Sequence, residues 1–379
     1  MKRPIGYFVH HQGRGHAERA AALAAALPAD RPLTMFCARD DIFPPLPAHV
    51  RIVRIPSLFE PPADADARWS EAMTPPTLHC APIGWPTITQ AIATLAAWFA
   101  EARPALFVTD VSAELAQFAR IASVPCVTVL QHGSRDDAGH MAAYAGAVGV
   151  LAPYHRDLEQ PGRPDWMLAK THHAAGLGVA ATEIARETAR AALDLPAERP
   201  IVLVIAGGGG GGTPATPVTL GARADPDTLW ITIGSVVHEW HATPPANLRH
   251  MGWVGDPERW IAAADRIVSS AGNTTVHMVA AAAKPWVVVP EWRYFDEQIW
   301  KARMLDAAGA AIALEHWPSH AGAWDAAWTR AASLDVGAQQ RLVQPQAARD
   351  AAAWIEALAG GGSDAVADAT VALIAEPVV

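Results

Sequence analysis

Two groups of residues have the types and spacing for chemistry. The first centres on His16, which follows Gly13-Arg14-Gly15 where an apolar run at 5–10 gives way to an alanine-rich helical stretch at 16–27. An imidazole at the start of that helix, facing a groove between domains, has an unperturbed pKa close to neutral and can accept a proton there. With 16 histidines in the chain, a structural role is the competing reading. Asp110 ends the run LFVTD at the same edge of the same sheet. Its carboxylate either holds the second imidazole nitrogen, as an orienting partner, or caps the helix that follows at 112–122. The second group spans 265–298. There, 266–269 reads as a short buried strand, Ala271-Gly272-Asn273 as a tight turn, and 274–283 as a helix whose free N–H groups suit an anion. Lys284-Pro285 stops that helix, 286–289 is the next strand, and a polar loop at 290–298 brings Glu291, Arg293, Asp296, Glu297 and Gln298 to the strand's carboxyl end, where open α/β sheets bind ligands. An ordinary βαβ unit with an Asn/Thr helix cap is the alternative.

Other motifs count for less. The six-glycine run at 207–212 follows the strand IVLVIA, so its backbone can approach a ligand and its N–H groups can form an anion nest; it lacks the Lys-Ser/Thr of a P-loop, and a plain connector competes. At Gly13-Arg14-Gly15 the third small position of a dinucleotide fingerprint is Glu18, which argues against an NAD site. Asp225-Pro226-Asp227 is a carboxylate pair in a loop, and His238-Glu239-Trp240-His241 lacks the i, i+4 spacing of a zinc helix. Cys37, Cys80 and Cys126 are far apart, which predicts neither a disulfide framework nor a metal knuckle.

The elements that position these residues alternate between strand and helix. Strands are predicted at 5–10, 33–38, 106–109, 124–130 and 148–151, then at 201–206, 229–233, 266–269, 286–289 and 311–314; helices at 16–27, 87–100, 112–122, 182–193 and 347–358. This pattern predicts parallel sheets covered by helices on both faces. The pattern lapses after Ala152, and 379 residues exceed one ordinary core, so two domains are expected, at 1–178 and 179–345, followed by a helix and tail at 346–379 for which a crossing back to the first domain is one reading. The helix at 87–100 carries Ile88, Ile92, Leu95, Ala96 and Phe99 on one face and no charge, and packs either under a loop of its own domain or against an apolar partner. A net charge of −9 argues against nucleic acid, no stretch is long and apolar enough to span a bilayer, and the start of the chain reads as a strand rather than a signal peptide, so the cytoplasm is the expected location.

Taken together, these residues resemble the GT-B glycosyltransferases, the group that includes the bacterial transferase adding GlcNAc to the lipid-linked peptidoglycan precursor, the UDP-glucuronosyltransferases and the natural-product glycosyltransferases of actinobacteria. HHQGRGHAERA at 10–20 is similar to the family's glycine-rich loop with its catalytic histidine, here His16. RPALFVTDVSAELAQFARIASVPCVTVLQHG at 103–133 is similar to the block whose aspartate, here Asp110, partners that histidine. Segment 265–298 resembles the donor signature, with Gly272, Asn273 and Thr274 on the diphosphate and Glu297-Gln298 on the donor sugar. The resemblance implies an α/β fold of two Rossmann-like doubly wound domains, and inverting, metal-independent transfer from a UDP- or dTDP-sugar to a hydroxyl of a small-molecule or lipid-linked acceptor, with peripheral contact with the inner membrane face compatible. It also implies donor contacts from Gly208, Gly209 and Glu291, acceptor contacts from Gly15 and His132, and no cofactor. One departure stands out. The family's ribose-binding glutamate, six residues after Gly272, is replaced by Met278, which cannot match a carboxylate as a hydrogen-bond acceptor for a diol. Either Glu291 or another acid takes that task, or the nucleotide is held differently, or donor binding is weakened. An enzyme like the UDP-GlcNAc 2-epimerases and a non-catalytic binding subunit are the competing functions.

Overall fold

The computed structural model describes residues 2–179, 184–207, 210–238 and 243–361. They divide into two compact units, one of 2–153, 161–178 and 346–361, the other of 154–160 and 179–345.

In the first unit, strands β1 (Ile5–Phe8), β2 (Leu33–Cys37), β3 (Val50–Arg54), β4 (Leu106–Thr109), β5 (Cys126–Val129), β6 (Gly149–Ala152) and β7 (Thr171–His173) form one parallel sheet ordered β3-β2-β1-β4-β5-β6-β7. Its inner strands are buried along their whole length, which is why they read as continuous apolar runs rather than as alternation. The crossover helices are α1 (Arg14–Ala26), α2 (Pro86–Ala102), α3 (Ala113–Ile121), α4 (Ala138–Gly146) and α5 (Asp165–Ala169). Ile5, Tyr7, Leu33 and Met35 meet α1 in one core, while Phe8, Phe36 and Phe107 meet α2 and α3 in another. Helix α2 spends its apolar face, Ala91, Leu95 and Phe99, inside its own unit, so that face needs no outside partner. Between β1 and β4 the winding reverses, the position at whose carboxyl edge open α/β sheets bind ligands.

The second unit repeats the plan. Helices α6 (Arg186–Ala192), α7 (Ala215–Ala224), α8 (Pro257–Ala263), α9 (Asn273–Ala282), α10 (Glu297–Ala307), α11 (Ala321–Ala332) and α12 (Val336–Arg341) accompany strands β8 (Ile201–Ile205), β9 (Thr213–Pro214), β10 (Leu229–Ile233), β11 (Val236–Val237), β12 (Leu248–His250), β13 (Arg266–Ser269), β14 (Trp286–Val288) and β15 (Ile312–Ala313). Six of these strands form a parallel sheet ordered β12-β10-β8-β13-β14-β15, with its reversal between β8 and β13; β9 and β11 pair separately. The final helix, α13 (Ala347–Ala359), packs on α1 in the first unit, where Arg31 clasps Glu356 at 2.5 and 3.0 Å and Trp354 stacks on His172.

Several elements differ from the sequence reading. β3 sits on a sheet edge and is only partly buried, and β7 and β12 have three residues each, so none has a strong apolar signature. The polar loop expected at 290–298 is helical from Glu297 onward, because α10 is polar enough to hide its period. Of the helix expected at 182–193, α6 accounts for Arg186–Ala192, while 180–183 and the tail beyond 361 lie outside the described residues.

Candidate functional site

In the first unit, the reversal point of the sheet holds His16 and Asp110. Gly13 caps α1 at φ 83, a left-handed conformation that glycine adopts without strain, and the turn starts α1 directly beyond β1. His16 then falls in the first turn of α1, and Arg19 lies three residues on, on the same face. Asp110 follows β4. The next residue, Val111, is held at φ 66, a left-handed conformation that costs a β-branched residue about 1–3 kcal/mol and turns the chain sharply off the strand. Ser112 is the cap of α3, its Oγ accepting from the Leu115 amide at 3.2 Å, so the capping role considered for Asp110 belongs to Ser112.

The carboxylate of Asp110 is completely buried and saturated. His16 Nδ1 lies 3.0 Å from Oδ1; Arg19 donates from Nε to Oδ2 at 2.9 Å and from Nη2 to Oδ1 at 3.0 Å; the Tyr7 hydroxyl donates to Oδ2 at 3.2 Å. Burial alone would raise the Asp110 pKa, but the charges of Arg19 and His16 and the hydrogen bonds they make outweigh it and hold the carboxyl well below the usual carboxylate range. Burial pushes the Tyr7 phenol far up, so it stays a proton donor. The imidazole of His16 keeps 17% of its surface exposed, and its Nδ1 lies 3.0 Å from both Asp110 Oδ1 and Arg19 Nη2; in the tautomer that directs Nδ1–H at Asp110, Nε2 carries the lone pair. Beside it, His10 stacks on Phe59 at 4.3 Å and on His11, and His11 Nε2 meets Glu60 Oε1 at 2.8 Å. Burial, then the neighbouring His16 and His11, push the His10 pKa down to about 3, so that ring is neutral at neutral pH. Gly15 is half-buried next to His16 on α1, whereas His132, beyond β5, is fully buried and presents no surface to a ligand.

In the second unit, the reversal point holds the turn into α9. This ten-residue helix starts at Asn273 after Gly272, with no side-chain cap and no acid in its first turn, and Thr274 follows in that turn. The N–H groups of a first turn point out along the helix axis, where an anion can accept from them. Ser270, in the same turn, is buried with its Oγ lacking any hydrogen-bond partner among the described residues. Lys301, on α10, is almost wholly buried and reaches Asn273 Oδ1 at 3.2 Å and Glu297 Oε1 at 4.0 Å. A buried ammonium, a hydroxyl and a helix N-terminus at one turn are the kinds of group that suit an anion. Gln298 is buried and its Oε1 accepts from the amides of Ala271 and Glu291 at 3.0 and 2.9 Å, tying the turn to the loop beyond β14. Glu291 pairs with Arg293 at 2.8 Å and lies against Gly210, where any Cβ would collide with its carboxylate. That loop ends in two more left-handed residues, Phe295 and Asp296, before Glu297 opens α10. Gly208 and Gly209 lie outside the described residues.

Met278 is half-buried and lines a cleft of about 730 Å³ in this unit, shared with Arg186, Glu258, Asp265 and Lys284. Asp265 is occupied by Arg186 and Arg190 at 2.8 and 2.6 Å, and Lys284 donates to carbonyls at the end of α8, which leaves Glu258 as the carboxylate of the cleft without an ion pair to those cations.

Elsewhere, His79, Asp137 and His140 bring their ligating atoms within 4.8 Å of one another, the one such trio among the described residues. The Arg135 guanidinium, 3.3 Å from His140 Nε2, sets a positive charge against a cation there. Asp225 ends α7 and pairs with Arg266 at 3.0 Å, away from the carboxyl edge of the sheet. His238 is exposed, and Glu239, Trp240 and His241 lie outside the described residues. Cys37 and Cys126 are buried free thiols and Cys80 an exposed one. Among the described residues no helix is long and apolar enough to cross a membrane.

The sequence reading missed Arg19, Tyr7, Ser270 and Lys301. Arg19 was within reach, since an i, i+3 neighbour of a helical histidine shares its face. Lys301 was not, because its position depends on α10, whose periodicity is weak.

No family model matches the chain. A curated relative from Serratia proteamaculans (strain 568), the UDP-N-acetylglucosamine--N-acetylmuramyl-(pentapeptide) pyrophosphoryl-undecaprenol N-acetylglucosamine transferase, is 32% identical over 138 residues, 33% of this chain and 39% of the relative, so the chain spans about two fifths of that protein's length. Among solved structures, Acinetobacter baumannii MurG superposes with a TM-score of 0.59 at 16% identity, covering 93% of this chain and 99% of that one. Phytolacca americana UGT2, solved with UDP-2fluoro-glucose and pterostilbene, gives 0.62 at 12% identity over 98% and 99%, and the glycotransferase of kitacinnamycin gives 0.62 at 17% over 94% and 100%. At such identities the likeness is one of fold, and the fold of this chain is GT-B, with two Rossmann-like α/β domains.

Proposed function

We propose that this chain is a metal-independent, inverting glycosyltransferase that moves a sugar from a UDP- or dTDP-sugar to a hydroxyl of a small-molecule or lipid-linked acceptor. The observation that carries the reading is His16, backed through Nδ1 by a buried and fully ionised Asp110, at the reversal point of one sheet, in a chain whose other sheet has an uncapped helix terminus at its own reversal point.

In this mechanism the acceptor hydroxyl gives its proton to His16 Nε2 as its oxygen forms a bond to the anomeric carbon. The bond from that carbon to the diphosphate oxygen breaks, and the nucleoside diphosphate leaves with the electron pair. One displacement inverts the anomeric centre. Asp110 stabilises the imidazolium. The negative charge that develops on the leaving group is met by the first N–H groups of α9, by Ser270 Oγ and by Lys301, which together do what a bound divalent cation does in other transferases. Gln298 acts by setting the turn before α9, with its Oε1 committed to two amides. Glu291 is committed to Arg293, so we assign the ribose hydroxyls to Glu258, which shares the cleft of Met278. The relative transfers N-acetylglucosamine to a lipid-linked acceptor by its name, and one structural neighbour holds a UDP-sugar analogue, which supports this donor class.

Calorimetric titration with UDP, dTDP and GDP in EDTA, on the wild type and on His16→Ala, tests the reading. One nucleotide is expected to bind both proteins equally, with transfer lost only in the variant. Binding of none of them would favour a non-catalytic protein, and product formed without an acceptor would favour an epimerase.

A further inference from the structure

Arg19 is not explained by a two-membered His–Asp pair. It is 4% exposed, and its guanidinium does not face solvent or substrate. It forks onto both oxygens of Asp110, and its Nη2 also lies 3.0 Å from His16 Nδ1, so Nη2, Nδ1 and Oδ1 form a triangle with 3.0 Å sides. The backbone of Arg19 is clamped as well. Gly178, at φ 87, lies directly on it, and a Cβ there would come within 2.6 Å of the Arg19 Cα and N.

Two consequences follow. A carboxylate held only by His16 and the Tyr7 hydroxyl could rotate, whereas the bidentate fork sets its plane and turns Oδ1 to the imidazole. A buried carboxylate with no other cation would also draw a proton onto His16, because an unpaired buried charge is costly. With Arg19 present, Asp110 is already neutralised and the guanidinium opposes a second positive charge 3.0 Å away. The other groups facing the His16 ring are His10, with ring centroids 5.3 Å apart, and beyond it His11 with Glu60. None of these supplies a cation to Asp110.

We propose that Arg19 is the positioning residue of the His16–Asp110 pair: its bidentate fork sets the plane of the carboxylate, turns Oδ1 to the imidazole and offsets the carboxylate's charge. For His16 to accept a proton at Nε2, Nδ1 carries the ring proton: both oxygens of Asp110 take bonds from Arg19, and Oδ1 then also accepts Nδ1–H. The proposal rests on the transferase reading for its consequence, but its physical core concerns the protonation of His16 alone and can be read without any substrate.

NMR titration of the histidine rings provides that readout, with the His16 signal identified by its loss in His16→Gln. In Arg19→Met the His16 midpoint is expected to rise by at least one pH unit, a tenfold gain in proton affinity. In Arg19→Lys, which keeps the charge but not the fork, the midpoint is expected to move by less than half a unit, while kcat falls about tenfold or more at unchanged donor KM. A folded Arg19→Met with an unchanged or lowered midpoint overturns the proposal. Where Arg19→Met does not fold, Arg19→Lys decides alone: a midpoint shift above one unit overturns the charge offset, and an undiminished kcat overturns the orienting role. If the wild type transfers no sugar at all, the functional reading fails while the midpoint shift in Arg19→Met still stands or falls by itself.

Discussion

The two reversal points of this chain solve different problems with different materials. In the first unit the site is made of side chains: His16, Asp110, Arg19 and Tyr7 close a buried hydrogen-bond network in which every carboxylate oxygen is satisfied. In the second unit it is made chiefly of backbone: the open end of α9 and the turn before it, with Lys301 and Ser270 as the polar side chains turned to it. A proton-transfer site needs one group at one tautomer, which a saturated network enforces. An anion site needs several donors directed at one region, which a helix N-terminus supplies from the backbone. Non-glycine residues in left-handed conformations flank parts of each site, Val111 after Asp110 in one and Phe295 and Asp296 before α10 in the other, so each stores local strain that the surrounding unit holds in place.

The comparison breaks most visibly at Asp110. Asp110→Asn keeps the shape, removes the charge that stabilises the imidazolium and lets the amide donate toward His16 Nδ1, which favours the wrong tautomer. Transfer is expected to fall by about 10²–10⁴-fold with nucleotide affinity unchanged, measured by steady-state kinetics beside calorimetry. Equal losses in both would mean that the two sites are not separable in this way. A smaller effect of the opposite pattern is expected for Lys301→Met, which removes the buried cation at α9: nucleoside diphosphate binding should weaken about tenfold, the scale of one lost charged hydrogen bond, and the His16 titration should stay where it was.

The smallest effect concerns the aromatic stack that braces the first site. In the folded protein His10 resists protonation down to about pH 3, whereas an unfolded chain protonates it near its ordinary value of 6.5. The folded pKa lies below the unfolded one, so between those values the unfolded state binds more protons. The stability linked to His10 is thus complete above about pH 6.5 and is lost as pH falls toward 3, at no more than about 1.4 kcal/mol per pH unit. His10→Phe, which keeps the stack on Phe59, should show a shallower loss of melting temperature than the wild type between pH 7 and 4. Parallel curves for the two proteins would remove His10 from the acid response.

The residues of both sites were legible for local reasons. A histidine at the start of a helix after a strand, and a glycine turn between a strand and a helix, are patterns of sequence neighbours, and the structure puts both at carboxyl ends of strands. What was not legible concerns partners far apart in sequence. Asp110 could have been a helix cap until Ser112 was seen in that place. The pairing of Glu291 with Arg293 and the burial of His132 likewise depend on the folded chain.

By itself the sequence determined the alternation of apolar strands with helices, the division into two sheets and the turns that end β1 and β13, because each depends on periodicity or on glycine over a few residues. Only the tertiary structure decided that Arg19 and Tyr7 converge on Asp110, that Lys301 reaches Asn273, and that the last helix, α13, whose return was one reading of the sequence, packs on α1. Each of those contacts depends on strand order and helix register, which set distances between residues up to hundreds of positions apart and leave no periodic trace along the chain.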